Sequence, residues 1–255
     1  MTRFFLAVLS KTNLFRFRNI LLLAAFFITS CAPARIAPSP TPEIISVAIT
    51  PGARFLLMKN GKLNRCISNN SGFGVFVDEI FASFPQFWNA QLSLRMGEPD
   101  PLRGYAAQVG TAEIVFVANL KNKQSNLARK DLIEILAGRT HLWEQVSNPV
   151  MSGAIQVWMF PEGDESTTQI EQVVLKGLPL TTFARIAPDP EAMLQAVAAG
   201  DGALGYLPKP WLNGSVRAVQ VDPSMQQALT LPVLSISSSE PQGAARILLG
   251  CLQSK

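Results

Sequence analysis

Continuously apolar, β-branched runs alternate along this chain with segments whose apolar residues recur every three or four positions. That alternation restricts the fold more than any other feature. Residues 44–50 (IISVAIT), 72–80, 90–97, 113–119 (EIVFVAN), 154–160 and 203–207 read as strands, with a shorter one near 216–221. The run at 113–119 has no polar alternation, which predicts a strand covered on both faces. Helices are predicted between them. One covers about 53–66 after Pro51, and one covers about 127–137, where Leu132, Ile135 and Leu136 share a face and Gly138 supplies the stop. Ile170, Val173 and Val174 carry another over 166–176, ended by Gly177. Asp189 and Pro190 open a further helix with Met193, Leu194 and Val197 inward, ended by Gly200 and Gly202. The last covers about 242–252. Strand–helix alternation of this kind predicts an α/β protein with at least partly parallel sheets.

The chain begins differently. Residues 20–28 (ILLLAAFFI) follow Arg16 and Arg18 and precede Cys31. Nine helical residues rise only about 14 Å, well short of the roughly 20 residues of a membrane span, which gives the stretch the shape of a signal peptide. It resembles a bacterial lipoprotein signal over residues 1–31, which implies lipidation of Cys31 and an anchored, extracytoplasmic protein. An ordinary cysteine after a cleaved secretory signal, or a short retained anchor, are the alternatives. Residues 32–42 carry Pro33, Pro38, Pro40 and Pro42, an extended tether of order 30 Å.

Charge narrows the function. Four of the 22 basic residues precede Cys31 and none of the 18 acidic ones does, so the remainder carries 18 of each. The basic character therefore belongs to the leader, and nucleic acid is not an expected partner. About 224 residues remain, enough for one large domain or two lobes. Cys66 and Cys251 are their remaining thiols, either bridged or buried unpaired. A single histidine, His141, and no CxxC leave no zinc ligand set, and no nucleophile elbow, Walker loop or GxGxxG accompanies it, so neither an enzyme nor a cofactor or metal is expected.

Two stretches carry a resemblance: NLARKDLIEILAGRTHLWEQV (126–146), with Leu132, Ile135, Gly138 and Trp143, and PDPEAMLQAVAAGDGALGYLP (188–208), with Val197, Gly202, Ala203, Leu204, Gly205 and Tyr206. Together they are similar to the type II periplasmic-binding-protein fold, in particular the phosphate-type substrate-binding lipoproteins of ABC transporters. The resemblance implies a two-lobed clamp, each lobe a small mixed or parallel sheet with helices on both faces. Lobe I would comprise 43–118 with 222–255, and lobe II 119–221. It also implies a monomer that captures a small solute, an oxyanion such as phosphate foremost, between the lobes and delivers it to an ABC permease.

In such proteins an oxyanion rests on N–H groups and hydroxyls at helix N-termini. Two such ends are readable here: Thr50, Pro51 and Gly52 after the first strand, and FPEGDESTTQIEQ. The family's G-S-G-T falls on Gly163, Asp164, Glu165 and Ser166, so only the glycine and the last hydroxyl remain. Two carboxylates beside a dianion would cost roughly a kcal/mol or more each unless one is protonated or faces away. Asp164 and Glu165 read equally as ordinary first-turn residues of a helix that Ser166 could cap. The candidate ligand-binding residues are Thr50, Gly52, Arg95, Gly163, Asp164, Ser166, Thr167 and Tyr206. Arg95, Glu98 and Arg103 also read as solvated loop residues, Tyr206 as packing, and His141 and Trp143 as surface and core. The altered loop keeps a second reading open, a surface sensor or interaction module of the same fold with a degenerate site.

Overall fold

β1 (Glu43–Ile49) forms where the β-branched run predicts it, and it lies parallel between β2 (Phe73–Glu79) and β3 (Leu92–Met96). The structure, a computed structural model, describes residues 42–102 and 104–254. The leader, Cys31, residues 32–41 of the tether, Arg103 and Lys255 lie outside the described residues.

β4 (Tyr105–Asn119) organises the rest. Its first part, Tyr105–Glu113, pairs antiparallel with β9 (Thr230–Ser237), with an irregularity between Gln108 and Gly110. From Ile114 onward it pairs instead with β7 (Ala203–Pro208) on one side and β8 (Val216–Val219) on the other. β5 (Gln156–Met159) runs parallel to β7 and to the two-residue β6 (Arg185–Ile186). The strand order is β2-β1-β3-β9-β4-β7-β5-β6, so one mixed sheet passes from a first half to a second through β4. Ile114, Phe116, Val117 and Ala118 are fully buried, as a run without polar alternation requires.

Among the described residues six α-helices flank the strands: α1 (Lys62–Ser68), α2 (Arg129–Leu136), α3 (Glu165–Val173), α4 (Pro190–Ala199), α5 (Pro223–Ala228) and α6 (Gly243–Gln253). Asp189 caps α4 by accepting the N–H of Ala192 at 2.8 Å, with Pro190 at the first turn, as its sequence predicts.

Three expectations change. The helix predicted over 53–66 is split into a 3-10 helix (Gly52–Leu57) and α1, because Met58 turns extended and the chain doubles back at Gly61. A Cβ on Gly61 would stand 2.2 Å from the Leu56 carbonyl oxygen, so this approach demands glycine. β4 begins well before residue 113, because β9 supplies a ladder to the Ala-, Gln- and Gly-containing segment whose own strand preference is weak. α5 and β9 have no counterpart among the predicted elements. Asp222 and Pro223 open α5, and Pro232 interrupts the strand signal of β9.

Cys66 of α1 and Cys251 of α6 form a disulfide across 185 positions, resolving the two alternatives for these thiols. Trp143 is buried, and its Nε1 donates to the Gly202 carbonyl at 3.1 Å. A Cβ on Gly202 would lie 2.1 Å from the Ala154 carbonyl oxygen, so the Trp143 loop, the start of β5 and β7 meet at a point with no room for a side chain.

Candidate functional site

After β5 the chain turns through Phe160–Gly163 and starts α3 with Asp164 as its N-cap. Its Oδ1 accepts the N–H groups of Ser166 at 2.8 Å and Thr167 at 3.2 Å. Asp164 therefore takes the capping role that the sequence allowed for Ser166, and the Ser166 hydroxyl is released from it. Tyr206 of β7 anchors this turn from below. Its hydroxyl lies 2.7 Å from Thr167 Oγ1 and accepts the Phe160 N–H at 3.3 Å, and burial holds the phenol well above its ordinary titration range.

The opposing wall comes from the first half of the sheet. Thr50 directly follows β1 and donates its N–H to the Leu94 carbonyl at 3.1 Å. Arg95 of β3 donates Nε to the Met96 carbonyl at 3.2 Å, and the same nitrogen stands 3.8 Å from Glu165 Oε1. Oε2 of Glu165 lies 3.8 Å from where a Cβ on Gly52 would be. Gly52 is itself fixed, since its carbonyl accepts Trp211 Nε1 at 3.2 Å. Arg54 stacks on Trp211 at 5.0 Å and pairs with both Glu79 and Glu191, which ties the loop after β1 to α4.

The chemistry of this junction lies in what is buried and unpaired. Asp164, Glu165, Ser166 and Thr50 are each at most 5 % exposed. No hydrogen bond of ordinary geometry reaches Thr50 Oγ1, Ser166 Oγ or Glu165 Oε1, although the Thr50 hydroxyl stands close enough to the Glu165 carboxyl, and the Ser166 hydroxyl to that of Asp164, to favour their charged forms. Burial pushes the Glu165 carboxyl up and the Asp164 charge adds to the shift. Arg95, the Glu165 backbone N–H and the nearby Thr50 hydroxyl oppose it. Burial raises Asp164 as well, but its two N-cap bonds work against the change, so Glu165 is the member of the pair that takes up a proton first. Burial draws the Arg95 guanidinium below its ordinary value, against the pull of Glu165 and Asp164.

Arg95 and Glu165 stand on the wall of a cavity of about 930 Å³, which also takes in Trp88, Asn89, Gln169 and Gln172. Such a volume falls in the range of small-molecule sites. Arg95 is the only basic side chain among the described lining residues, and Glu98 and Asp100 also line it.

The structure thus brings Thr50, Gly52, Arg95, Asp164 and Ser166 to one junction. Thr167 and Tyr206 pair with each other beneath the first turn of α3. Gly163 makes that turn at φ +84° and lies near Ser83. His141 is exposed, as the sequence suggests. Trp88, Asn89, Gln169 and Gln172 were not among the candidate residues. Trp88 and Asn89 lie in the 3-10 helix Pro85–Asn89, where an aromatic in a Pro-started loop was the available signal.

A family model described as a PBP superfamily domain matches residues 105–245. Among solved structures, the chain is similar to a protein from Clostridium perfringens assigned as a phosphate ABC transporter substrate-binding protein, with bound phosphate. The TM-score is 0.71 and the identity 14 %, covering 84 % of this chain and 94 % of that one. It is also similar to an ABC-type phosphate transport receptor from Vibrio cholerae, with a TM-score of 0.63 and 17 % identity over 83 % and 94 % of the two chains. A third is the CcmR regulatory domain of Synechocystis PCC6803 in complex with 2-PG, with a TM-score of 0.60 and 11 % identity over 83 % and 96 %. No curated protein matches the sequence. Identities this low carry the fold rather than a ligand, and that fold is the two-lobed α/β arrangement the sequence predicts. A family of binding proteins also agrees with the expectation that the chain is not an enzyme. With the family model spanning more than half of its length, the chain belongs to the PBP superfamily.

Proposed function

We propose that this protein is the solute-binding component of an ABC importer. It is held at the extracytoplasmic face of a bacterial membrane by a lipid on Cys31, with residues 32–42 as its tether, and acts as a monomer. Lobe I comprises 43–118 with 222–255 and lobe II 119–221. In support of that division, β4 exchanges β9 for β7 and β8 near the end of the first segment. The solute, an oxyanion such as phosphate foremost, is held where the lobes meet, against Arg95, the Thr50 and Ser166 hydroxyls and the first turn of α3. Gly52, Gly163, Asp164, Thr167 and Tyr206 shape the two loops that present these groups.

The observation that carries this reading is the set of buried, unpartnered hydroxyls of Thr50 and Ser166 beside a partly desolvated guanidinium at a helix N-terminus. Buried polar groups are rarely left without partners, and donors arranged around a cation at such an end suit an anion. Thermal-shift titration with phosphate, sulfate, molybdate, tungstate and small organic acids tests it. A solute binder gains stability as RT ln(1 + [L]/Kd), and a melting temperature indifferent to all of them refutes the oxyanion reading.

A second reading is a surface sensor or interaction module with a degenerate site. It is favoured by Glu165, a carboxylate set against the one cation among the described cavity-lining residues, and by the occurrence of the fold in a regulatory domain. Binding of the permease with no solute response would favour it.

A further inference from the structure

Where the proposed oxyanion would rest, the chain already places a negative group of its own. Glu165 is the first residue of α3, its side chain is 3 % exposed, and Oε1 lies 3.8 Å from Arg95 Nε. Both residues face the cavity, so the guanidinium that would draw a solute inward is the one the carboxylate attends. A carboxylate answers a guanidinium much as any oxyanion does, through oxygens that accept charge-assisted hydrogen bonds. It is planar, however, with two oxygens, whereas a tetrahedral anion offers four. The leftover shows in the structure, since Thr50 Oγ1, Ser166 Oγ and Glu165 Oε1 itself lack a hydrogen bond of ordinary geometry.

We propose that Glu165 is a tethered competitor: its carboxylate occupies the oxyanion subsite of the ligand-free protein, and a solute reaches Arg95 only when that carboxylate leaves or loses its charge. The inference rests on the oxyanion reading above.

Like charge makes the two occupants exclusive. The charged groups facing Glu165 are Arg95 on β3, which attracts it, and Asp164 on its own helix, which repels it. Glu98 and Asp100 line the same cavity, so among the described lining residues a dianion entering beside an ionised Glu165 would meet one cation and several anions. A protonated Glu165 removes one of these repulsions and releases Arg95, so oxyanion affinity rises as pH falls through the titration of this carboxyl. Asp164 and Glu165 repel each other, so a substitution at 165 also eases the titration of Asp164, which contributes a background in every form.

Calorimetric titration of the full chain with sulfate, whose charge is constant over the relevant pH range, and in parallel with phosphate, tests the proposal. Glu165→Ser, which removes the carboxylate and leaves a small hydroxyl, is expected to bind about tenfold more tightly or better than the unsubstituted protein. Glu165→Gln keeps the shape without the charge, and is expected to fall between the two and to decide the question if the serine variant does not melt cooperatively. The unsubstituted protein is expected to gain sulfate affinity from alkaline to mildly acidic pH, and the serine variant to lose most of that dependence. If the unsubstituted protein binds either anion as tightly as both variants do, the competitor is refuted and the oxyanion reading stands. If all three melt cooperatively and bind neither anion, the oxyanion reading fails and takes the competitor with it.

Discussion

Removing the disulfide offers the most quantitative test of how this fold is stabilised. Cys66 sits in α1 and Cys251 in α6, near the end of the chain, with Cα atoms 5.8 Å apart and a sequence separation of 185. The closed loop therefore encloses the second half of the sheet and most of the first. In the chain-entropy description, closing a loop of that length lowers the entropy of the unfolded ensemble by an amount equivalent to about 5 kcal/mol at 25 °C, near the upper limit for single disulfides. For a chain of this size a loss of that order lowers the melting temperature by roughly 10–20 °C.

The assay compares three forms in urea: oxidised protein, protein reduced with a phosphine, and Cys66→Ala/Cys251→Ala. If the bridge acts on the unfolded chain, the reduced and the double-alanine forms lose similar stability. The denaturant dependence should also steepen in both, because an unbridged chain exposes more surface on unfolding. Cys66 is buried, so the alanine form should lose slightly more through packing alone. A loss under about 1 kcal/mol on reduction, with unchanged denaturant dependence, would refute the reasoning, since a loop this long has no weaker constraint to offer.

Other consequences are narrower. Arg95→Met should abolish the thermal response to oxyanions while the protein still melts cooperatively, because the substitution removes the only cation among the described cavity-lining residues. Tyr206→Phe leaves the Phe160 N–H and Thr167 Oγ1 short of a partner and should cost about 1–3 kcal/mol in urea unfolding, with a smaller effect on solute affinity than Arg95→Met. The folded-state titration of Glu165 is raised, so its protonated form adds stability that is full below the ordinary carboxylate range and is lost as pH rises through the raised value. Melting temperatures recorded against pH should show this decline, and Glu165→Gln should flatten it apart from the share of Asp164.

The sequence made the elements with strong local signals legible and left those that depend on partners obscure. Asp189 and Pro190 begin α4 through chemistry contained within a few residues, and 113–119 has an apolar pattern that needs no partner to be read. The first part of β4 and all of β9 are different. Ala107, Gln108, Gly110 and Pro232 are poor strand residues, and only the ladder each provides for the other makes them strands. The disulfide could not be decided from spacing, because bringing residues 66 and 251 together is a property of the assembled sheet. The junction at the site was half legible. The loops after β1 and before α3 announced themselves as chain turns with hydroxyls, and the departure at 164 and 165 was visible. That Asp164 would cap the helix while Glu165 turned toward Arg95 depended on packing from β3, remote in sequence.

That division of labour between two adjacent carboxylates also connects the fold to the solute. Asp164 serves the helix, and its replacement of the expected hydroxyl cap frees Ser166 Oγ, which stays buried and unpaired. Glu165 reaches instead across to β3, while Arg54 reaches from the loop after β1 to Glu191 of α4, and Trp211 after β7 holds the Gly52 carbonyl. All three contacts join the first half of the sheet to the second without any solute. In a clamp whose halves meet only on a ligand, closure would have to be supplied by that ligand. If Glu165 competes for the oxyanion subsite as proposed, part of the closing interaction is intrinsic, and a solute contributes to closure only the difference between its own contacts with Arg95 and those of Glu165. Differential affinity is what shifts a conformational equilibrium. A weak anion would therefore bind without altering the arrangement of the halves, and only one that outbids the Glu165 carboxylate for Arg95 would register with a partner that reads closure.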